Sequence, residues 1–205
     1  MRKPPQTPTA SDGAIPIRID PLCTPKVEAA MRGHDRAFVT SSENKSKFQS
    51  YRFGMPCGSA GGNPFNDAVE LQTVIVPVAW PKCIEIDLVS YGGLKYPIVG
   101  CYRVHYDQFT LQRGGSIGAV MQTFSMSMSY RELIAKVRLA TTSGSGFQGV
   151  IYVEFCTNQG RFGRVGNRQG NDVIEESLPT GFLGLKGFYG GQGDVVDSMG
   201  VIWGQ

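Results

Sequence analysis

Apolar and polar residues alternate in short runs along most of the chain, and glycine-rich turns separate the runs. In residues 83–91, for example, isoleucine and leucine occupy every second position and acidic residues lie between them. Alternation with a period of two, together with many β-branched and aromatic residues, is typical of half-buried strands. We predict strands at residues 69–78, 83–91, 103–111, 117–124, 125–130, 134–139, 150–155, 183–188 and 195–203. About a dozen short strands between glycine turns indicate an all-β body that is closed or nearly closed.

Residues 1–52 lack this alternation. Prolines cluster early, and a polar run follows at residues 40–47. We predict a partly ordered arm ahead of one domain at residues 53–205. The arm has nine Lys and Arg against five Asp and Glu (+4), and the remainder has eleven against twelve (−1), which together give the net charge of +3. Because the charges in the arm alternate in sign, we expect a solvated, mildly basic segment and no nucleic-acid binding.

The compartment is indicated by the beginning of the sequence and by the cysteines. Prolines and charged residues stand where a secretory signal would have an apolar run, and no apolar run reaches the length of a membrane span. The five cysteines are odd in number, widely spaced and without a CxxC pair. This favours reduced thiols, several of them buried in strands. We expect a cytoplasmic or unconventionally exported protein without membrane insertion.

The candidate chemistry lies in the segment Gly193-Asp194-Val195-Val196-Asp197. A carboxylate accepts two hydrogen bonds side by side, which suits two adjacent hydroxyl groups of a sugar. A glycine-rich turn exposes backbone N–H donors and leaves room for a ligand. The same pattern also occurs in ordinary tight turns, where an aspartate bonds its own backbone. These residues alone therefore leave both interpretations open.

Paired carboxylates also occur in glycosidases, where they flank the scissile bond from opposite sides. Asp194 and Asp197 are three residues apart in one short loop and face the same small space, so we predict no catalytic residues. His34 and His105 have no cysteine or acidic neighbours at the spacing of a metal site or a catalytic triad. We expect neither a metal nor a cofactor.

Several ordered segments of the body match the pattern of one known family. They are residues 58–65 (GSAGGNPF), 86–91 (IDLVSY), 114–117 (GGSI), 155–160 (FCTNQG), 187–190 (GFYG) and 193–201 (GDVVDSMGV). With these segments the chain resembles the jacalin-related lectins over residues 53–205, and the arm has no counterpart. The resemblance implies a β-prism, in which three four-stranded antiparallel sheets surround a pseudo-threefold axis. It also implies a sugar site where the first and last loops meet.

The resemblance assigns roles within that site. Asp197 would accept hydrogen bonds from two neighbouring hydroxyls, the loop would donate backbone N–H groups, and Gly62 on the opposite side would leave room for the sugar ring. The predicted carbohydrate-binding residues are Gly62, Phe147, Gln148, Gly193, Asp194, Val195 and Asp197. The stretch at residues 125–149 is longer than the family pattern, so its register stays open.

The resemblance favours mannose or glucose as the ligand. Galactose-preferring members carry aromatic residues in the loop, whereas Val195 and Val196 occupy it here. We expect a metal-independent, non-catalytic lectin that binds mannose- or glucose-containing glycans and assembles as a homo-oligomer. The alternative is a β-prism module that binds a protein partner or a membrane component, with a vestigial sugar site.

Overall fold

The computed structural model describes residues 50–73, 80–115, 117–142, 148–170 and 173–205. Nearly all of the predicted arm, Phe147 and the second half of the strand predicted at residues 69–78 lie outside these ranges. The described elements are β1 (Tyr51–Phe53), β2 (Cys57–Gly58), β3 (Asn63–Asn66), α1 (Asp67–Thr73), β4 (Cys83–Val89), β5 (Ile98–His105), β6 (Thr110–Arg113), β7 (Val120–Ser127), β8 (Ile134–Thr141), β9 (Val150–Thr157), β10 (Phe162–Gly166), β11 (Val173–Ser177), β12 (Gly184–Gln192) and β13 (Val196–Gly204).

These strands form three antiparallel sheets. Two sheets have four strands each, in the orders β6-β5-β4-β7 and β10-β9-β8-β11. The third sheet has the order β1-β13-β12-β3, and β2 also pairs with β13. Because β1 and β2 pair with successive parts of β13, they are two pieces of one broken edge strand. The predicted β-prism, with three sheets of four strand positions each, is confirmed.

The third sheet joins distant parts of the chain. Arg52 pairs with Trp203, and Phe65 pairs with Gly190. Each of the other two sheets is instead built from one continuous stretch of the chain. The glycine loop at residues 58–62 is therefore held beside the hairpin that β12 and β13 form.

One aromatic side chain from each sheet meets at the centre of the prism. Tyr102 comes from β5, Phe155 from β9 and Phe188 from β12, and all three are fully buried. The ring centroids of Tyr102 and Phe188 are 5.1 Å apart, and those of Phe155 and Phe188 are 6.3 Å apart. Rings at these separations add to the stabilisation that burial of apolar area provides. The three sheets thus share one core.

Most predicted strands are present, but the strand predicted at residues 69–78 is wrong where the structure describes it. Its first half belongs to the helix α1, which begins at Asp67. Asn66 Oδ1 accepts a hydrogen bond from the Ala68 N–H at 3.0 Å and so caps the first turn. Asp67 and Glu70 lie in that turn, where the positive N-terminal end of the helix dipole stabilises negative charge. The capping asparagine therefore indicates the start of a helix, whereas the valines of this segment had favoured a strand.

A buried ion pair connects α1 to two sheets. Asp67 is fully buried, and Arg113 at the end of β6 donates to its Oδ1 from Nε at 2.9 Å and from Nη2 at 2.8 Å. Asp67 Oδ2 accepts from the Phe188 N–H at 2.9 Å and from the Tyr102 hydroxyl at 3.4 Å. Arg113 Nη2 also donates to Glu70 at 2.5 Å. Because both buried charges have partners, the pair can lie away from water.

Cys57, Cys83 and Cys101 form no disulfide, and Cys57 and Cys101 are buried. The expectation of reduced thiols is wrong at Cys156, which is buried in β9 and disulfide-bonded. It is confirmed at Cys57 and Cys101, which lie in β2 and β5. Free cysteine packs as a small apolar side chain in such positions.

Candidate functional site

Asp197 lies at the start of β13, where the glycine loop at residues 58–62 meets the C-terminal hairpin. Its side chain borders three glycines. A Cβ on Gly62 would be 2.0 Å from Asp197 Oδ2, a Cβ on Gly193 would be 3.8 Å from the same oxygen, and a Cβ on Gly61 would be 3.8 Å from Asp197 Cγ. Gly62 also has a φ of 74°, which glycine adopts readily. The carboxylate occupies the space that a side chain at position 62 would need.

Asp197 is a buried residue, and the described residues supply no hydrogen-bond donor to its carboxylate. The residue is 8 % exposed, and within the described ranges no group donates a hydrogen bond to its carboxylate. Burial raises the pKa of Asp197, and the charge of Asp194 raises it further. A carboxylate in this position gains from a ligand that supplies hydrogen-bond donors, because those donors replace lost water.

The turn at residues 193–195 is anchored by one side chain. Val195 is buried in a small apolar cluster that includes Val89 and Ile98. Asp194 is exposed. In the part of the chain that the structure describes, the N–H groups of Asp194 and Val195 donate no hydrogen bond. Val195 therefore fixes the turn through its side chain, and both backbone donors remain available to a ligand.

The connection between β6 and β7 supports the same turn, although none of its residues was predicted to belong to the site. The N–H groups of Gly115 and Ile117 donate to the Asp194 carbonyl at 3.2 and 3.3 Å. The Gly114 N–H donates to Gln192 Oε1 at 2.8 Å. The glycine pair was visible in the sequence, but its contact with the C-terminal turn depends on how the sheets assemble.

Gln148 borders the site through its backbone. Its carbonyl accepts a hydrogen bond from the Ser59 N–H at 3.0 Å, and the same N–H lies 3.1 Å from the carbonyl oxygen of Asp197. Ser59 thereby joins the β8–β9 connection to β13. Phe147, the other residue predicted in this connection, lies outside the described residues.

The structure brings six of the seven predicted site residues to one end of the prism: Gly62, Gln148, Gly193, Asp194, Val195 and Asp197. Together they provide one acceptor carboxylate, two backbone donors and an entrance lined by glycine. This set of groups matches adjacent hydroxyls on a small ring, which both donate and accept hydrogen bonds. Asp194 and Asp197 belong to one turn and its adjoining strand, so they do not face each other across a cleft.

The described residues contain no group of three or more His, Cys, Asp and Glu side chains placed to bind a metal ion. In the same ranges, no helix combines the length and apolar character that crossing a bilayer requires.

Comparison with known families gives one match. The model of the jacalin-like lectin domain matches residues 54–202. No curated protein sequence matches the chain.

Solved structures with a similar fold include three lectins. Calystegia sepium agglutinin is 21 % identical, with a TM-score of 0.57 over 75 % of this chain and 95 % of its own. The mannose-binding lectin from Champedak is 20 % identical, with a TM-score of 0.54 over 74 % and 95 %. Artocarpin in complex with mannotriose is 20 % identical, with a TM-score of 0.55 over 74 % and 96 %. At these identities the similarity establishes the fold.

The contact between Gly62 and Asp197 predicts a specific loss of stability. Replacing Gly62 with Ala forces a Cβ against Asp197 Oδ2 and against the Gln192 carbonyl, in addition to the cost of a left-handed φ. We expect a loss of about 2–4 kcal/mol in the free energy of unfolding, measured by urea denaturation.

Gly160→Ala is the matched control. Gly160 has a φ of 77°, and a Cβ there would meet nothing within 4 Å. Only the cost of the left-handed backbone conformation remains, so we expect a loss of about 1 kcal/mol in the free energy of unfolding. Equal losses in the two variants would show that position 62 is not sterically restricted by the carboxylate.

Proposed function

The chain belongs to the jacalin-like lectin domain family, and from this premise we propose that it binds mannose- or glucose-containing glycans through its Asp197 loop. The family consists of non-catalytic carbohydrate-binding proteins, so the expectation that the chain is not an enzyme is confirmed. Its fold is that of a carbohydrate-binding lectin, and related folds have been solved with bound glycans. The identity of the sugar and the role of the loop are our proposals.

The observation that carries the proposal is the Asp197 carboxylate, which is buried beside three glycines and receives no hydrogen bond from the described residues. Two adjacent hydroxyl groups would each donate to one of its oxygens. The N–H groups of Asp194 and Val195 would donate in return to sugar oxygens. Charged acceptors make the stronger hydrogen bonds, so Asp197 would contribute most of the binding free energy.

Two features favour mannose or glucose over galactose. The side chains of Val195 and Val196 are buried below the turn, so the loop presents no aromatic ring to a ligand. Among proteins of similar fold, the Champedak lectin is described as mannose-binding, and artocarpin was crystallised with mannotriose.

One observation favours the alternative function, a module that binds a protein or a membrane component. Ile117, Val120 and Met121 are each more than half exposed. The Ile117 N–H donates to Asp194 in the turn at residues 193–195, which we name the sugar turn. An exposed apolar strip of this kind can mark an interaction surface. A glycan array with and without free mannose separates the two functions, since only the lectin would bind glycans and release them to mannose.

The first prediction for sugar binding concerns Asp197→Ala. Loss of the charged acceptor should weaken mannose binding about 10- to 100-fold, which corresponds to about 1.5–3 kcal/mol. The free energy of unfolding should stay the same or rise, because the variant removes a buried carboxylate that lacks donors. Calorimetric titration and urea denaturation measure the two effects. Unchanged affinity would remove Asp197 from the site.

The second prediction concerns pH. Because burial and the Asp194 charge raise the pKa of Asp197, mannose affinity should fall on acidification at a higher pH than an ordinary aspartate, whose pKa is about 3.9, would give. Asp194→Asn removes the repulsion, so the pH at which binding is half lost should move down. Titrations across acidic pH in both proteins measure this midpoint. An identical midpoint would mean that another group controls binding.

The third prediction concerns valency, and it includes the proposed homo-oligomer. A shallow site with few buried contacts should bind one mannose with a dissociation constant on the order of 0.1–10 mM. Several sites on one oligomer should raise the apparent affinity for mannose-rich multivalent glycans by about 10²–10⁴. Light scattering and surface binding test both parts. A monomer with equal affinity for single and multivalent ligands would contradict them.

A further inference from the structure

A groove of about 450 Å³ lies between α1 and the edge that β3 and β12 form. Val69 and Glu70 of α1, Arg113 of β6, and Tyr189 and Gln192 of β12 line it. Its volume lies within the range of small-molecule sites, about 300–1,000 Å³. The lining residues are all distinct from the residues predicted to bind the sugar.

The groove begins at a residue that also borders the sugar turn. Gln192 immediately precedes Gly193, and its carbonyl oxygen would be 2.6 Å from a Cβ on Gly62. Its side-chain Oε1 is held by the Gly114 N–H at 2.8 Å. A ligand group at Asp197 and a ligand group in the groove would therefore lie on two sides of Gln192.

Two charged side chains in the groove are held in place and still have free hydrogen-bonding capacity. Arg113 uses Nε and Nη2 to bind Asp67 and Glu70. Its Nη1 donates no hydrogen bond to any described residue. The Glu70 side chain is 46 % exposed, and only its Oε1 accepts from Arg113. The groove thus offers a fixed donor and a fixed acceptor a short distance apart.

The charge balance selects a neutral ligand. Arg113 already faces the carboxylates of Asp67 and Glu70, at 2.8 and 2.5 Å from Nη2. These two carboxylates compensate the positive charge of Arg113. They would also repel a sulfate, phosphate or sialic acid group, because like charges repel each other. A neutral polyol, whose hydroxyls both donate and accept, fits the pair without adding charge.

The groove also has an apolar side chain, since Val69 lines it and is 56 % exposed. An apolar side chain beside fixed polar groups suits a sugar, which has both an apolar C–H face and a rim of hydroxyls.

We propose that this groove binds a second neutral hexose, belonging to a glycan whose first residue is bound at Asp197. The proposal rests on the proposed lectin function, and it extends the recognised ligand from a monosaccharide to an oligosaccharide. Glu70 would accept from a hydroxyl of the second hexose, Arg113 Nη1 would donate to a ring or hydroxyl oxygen, and Val69 would contact the C–H face.

The test compares free mannose with linear mannotriose in calorimetric titrations of the full chain. The parent protein should bind mannotriose about tenfold or more tightly than mannose. Val69→Lys places a long side chain into the groove from an exposed helical position. This variant should keep the mannose affinity and lose most of the gain for mannotriose, so that the ratio falls to about twofold or less. Glu70→Ala should reduce the ratio in the same direction.

Val173→Lys is the matched control, since Val173 is 48 % exposed on β11 and does not line the groove. It should leave both affinities unchanged. If Val69→Lys and Glu70→Ala keep the parent ratio, or lower both affinities equally, the groove is not a second sugar site, and the lectin function still stands. If the parent binds neither sugar, the proposed function fails and the groove proposal fails with it.

Discussion

The ion pair between Asp67 and Arg113 fixes the part of the molecule on which the candidate site depends. Asp67 starts α1 and also bonds β5 and β12, so this one carboxylate connects the helix to two sheets. The two glycines after Arg113 then donate to Gln192 and to the Asp194 carbonyl. The position of the sugar turn therefore follows from a contact made by the end of β6. A buried ion pair of this kind is chiefly a positional constraint, since desolvation cancels much of its attraction.

The charged group of the candidate site, unlike the ion pair, has no hydrogen-bonding partner among the described residues. Arg113 and Asp67 satisfy each other, whereas the Asp197 carboxylate is buried with its hydrogen-bonding capacity unused by the described residues. Glycine at positions 61, 62 and 193 keeps the surrounding space free of side chains. A polar group left unsatisfied lowers the stability of the folded state, and functional sites are where proteins tolerate such costs. The molecule thus has a rigid support and, only a few residues away, a surface whose polar groups are open to a ligand.

The sequence indicated the strands and the main loop, because both are encoded locally. Alternation of apolar residues marks β4 and β9, and the segment from Gly193 to Asp197 contains its own turn and carboxylates. The helix α1 was not predicted because Asn66 marks its start only through a capping hydrogen bond, while the nearby valines favoured a strand. The contact of Ile117 with Asp194 and the groove beside Tyr189 could not be inferred from local pattern, since each depends on elements from different sheets.

The pairing of β1, β2 and β3 with β12 and β13 has a consequence for how the molecule is made. A ribosome delivers the chain in order, so the strands that contain Arg52 and Phe65 emerge long before their partners, Trp203 and Gly190. The two sheets built from continuous segments can form during synthesis, whereas the third must close last, because contacts between distant residues form slowly. Gly62 and Asp197 meet only at that final step. Because the proposed site contains both residues, an incomplete chain would lack it, and the site would form only when the whole domain has folded.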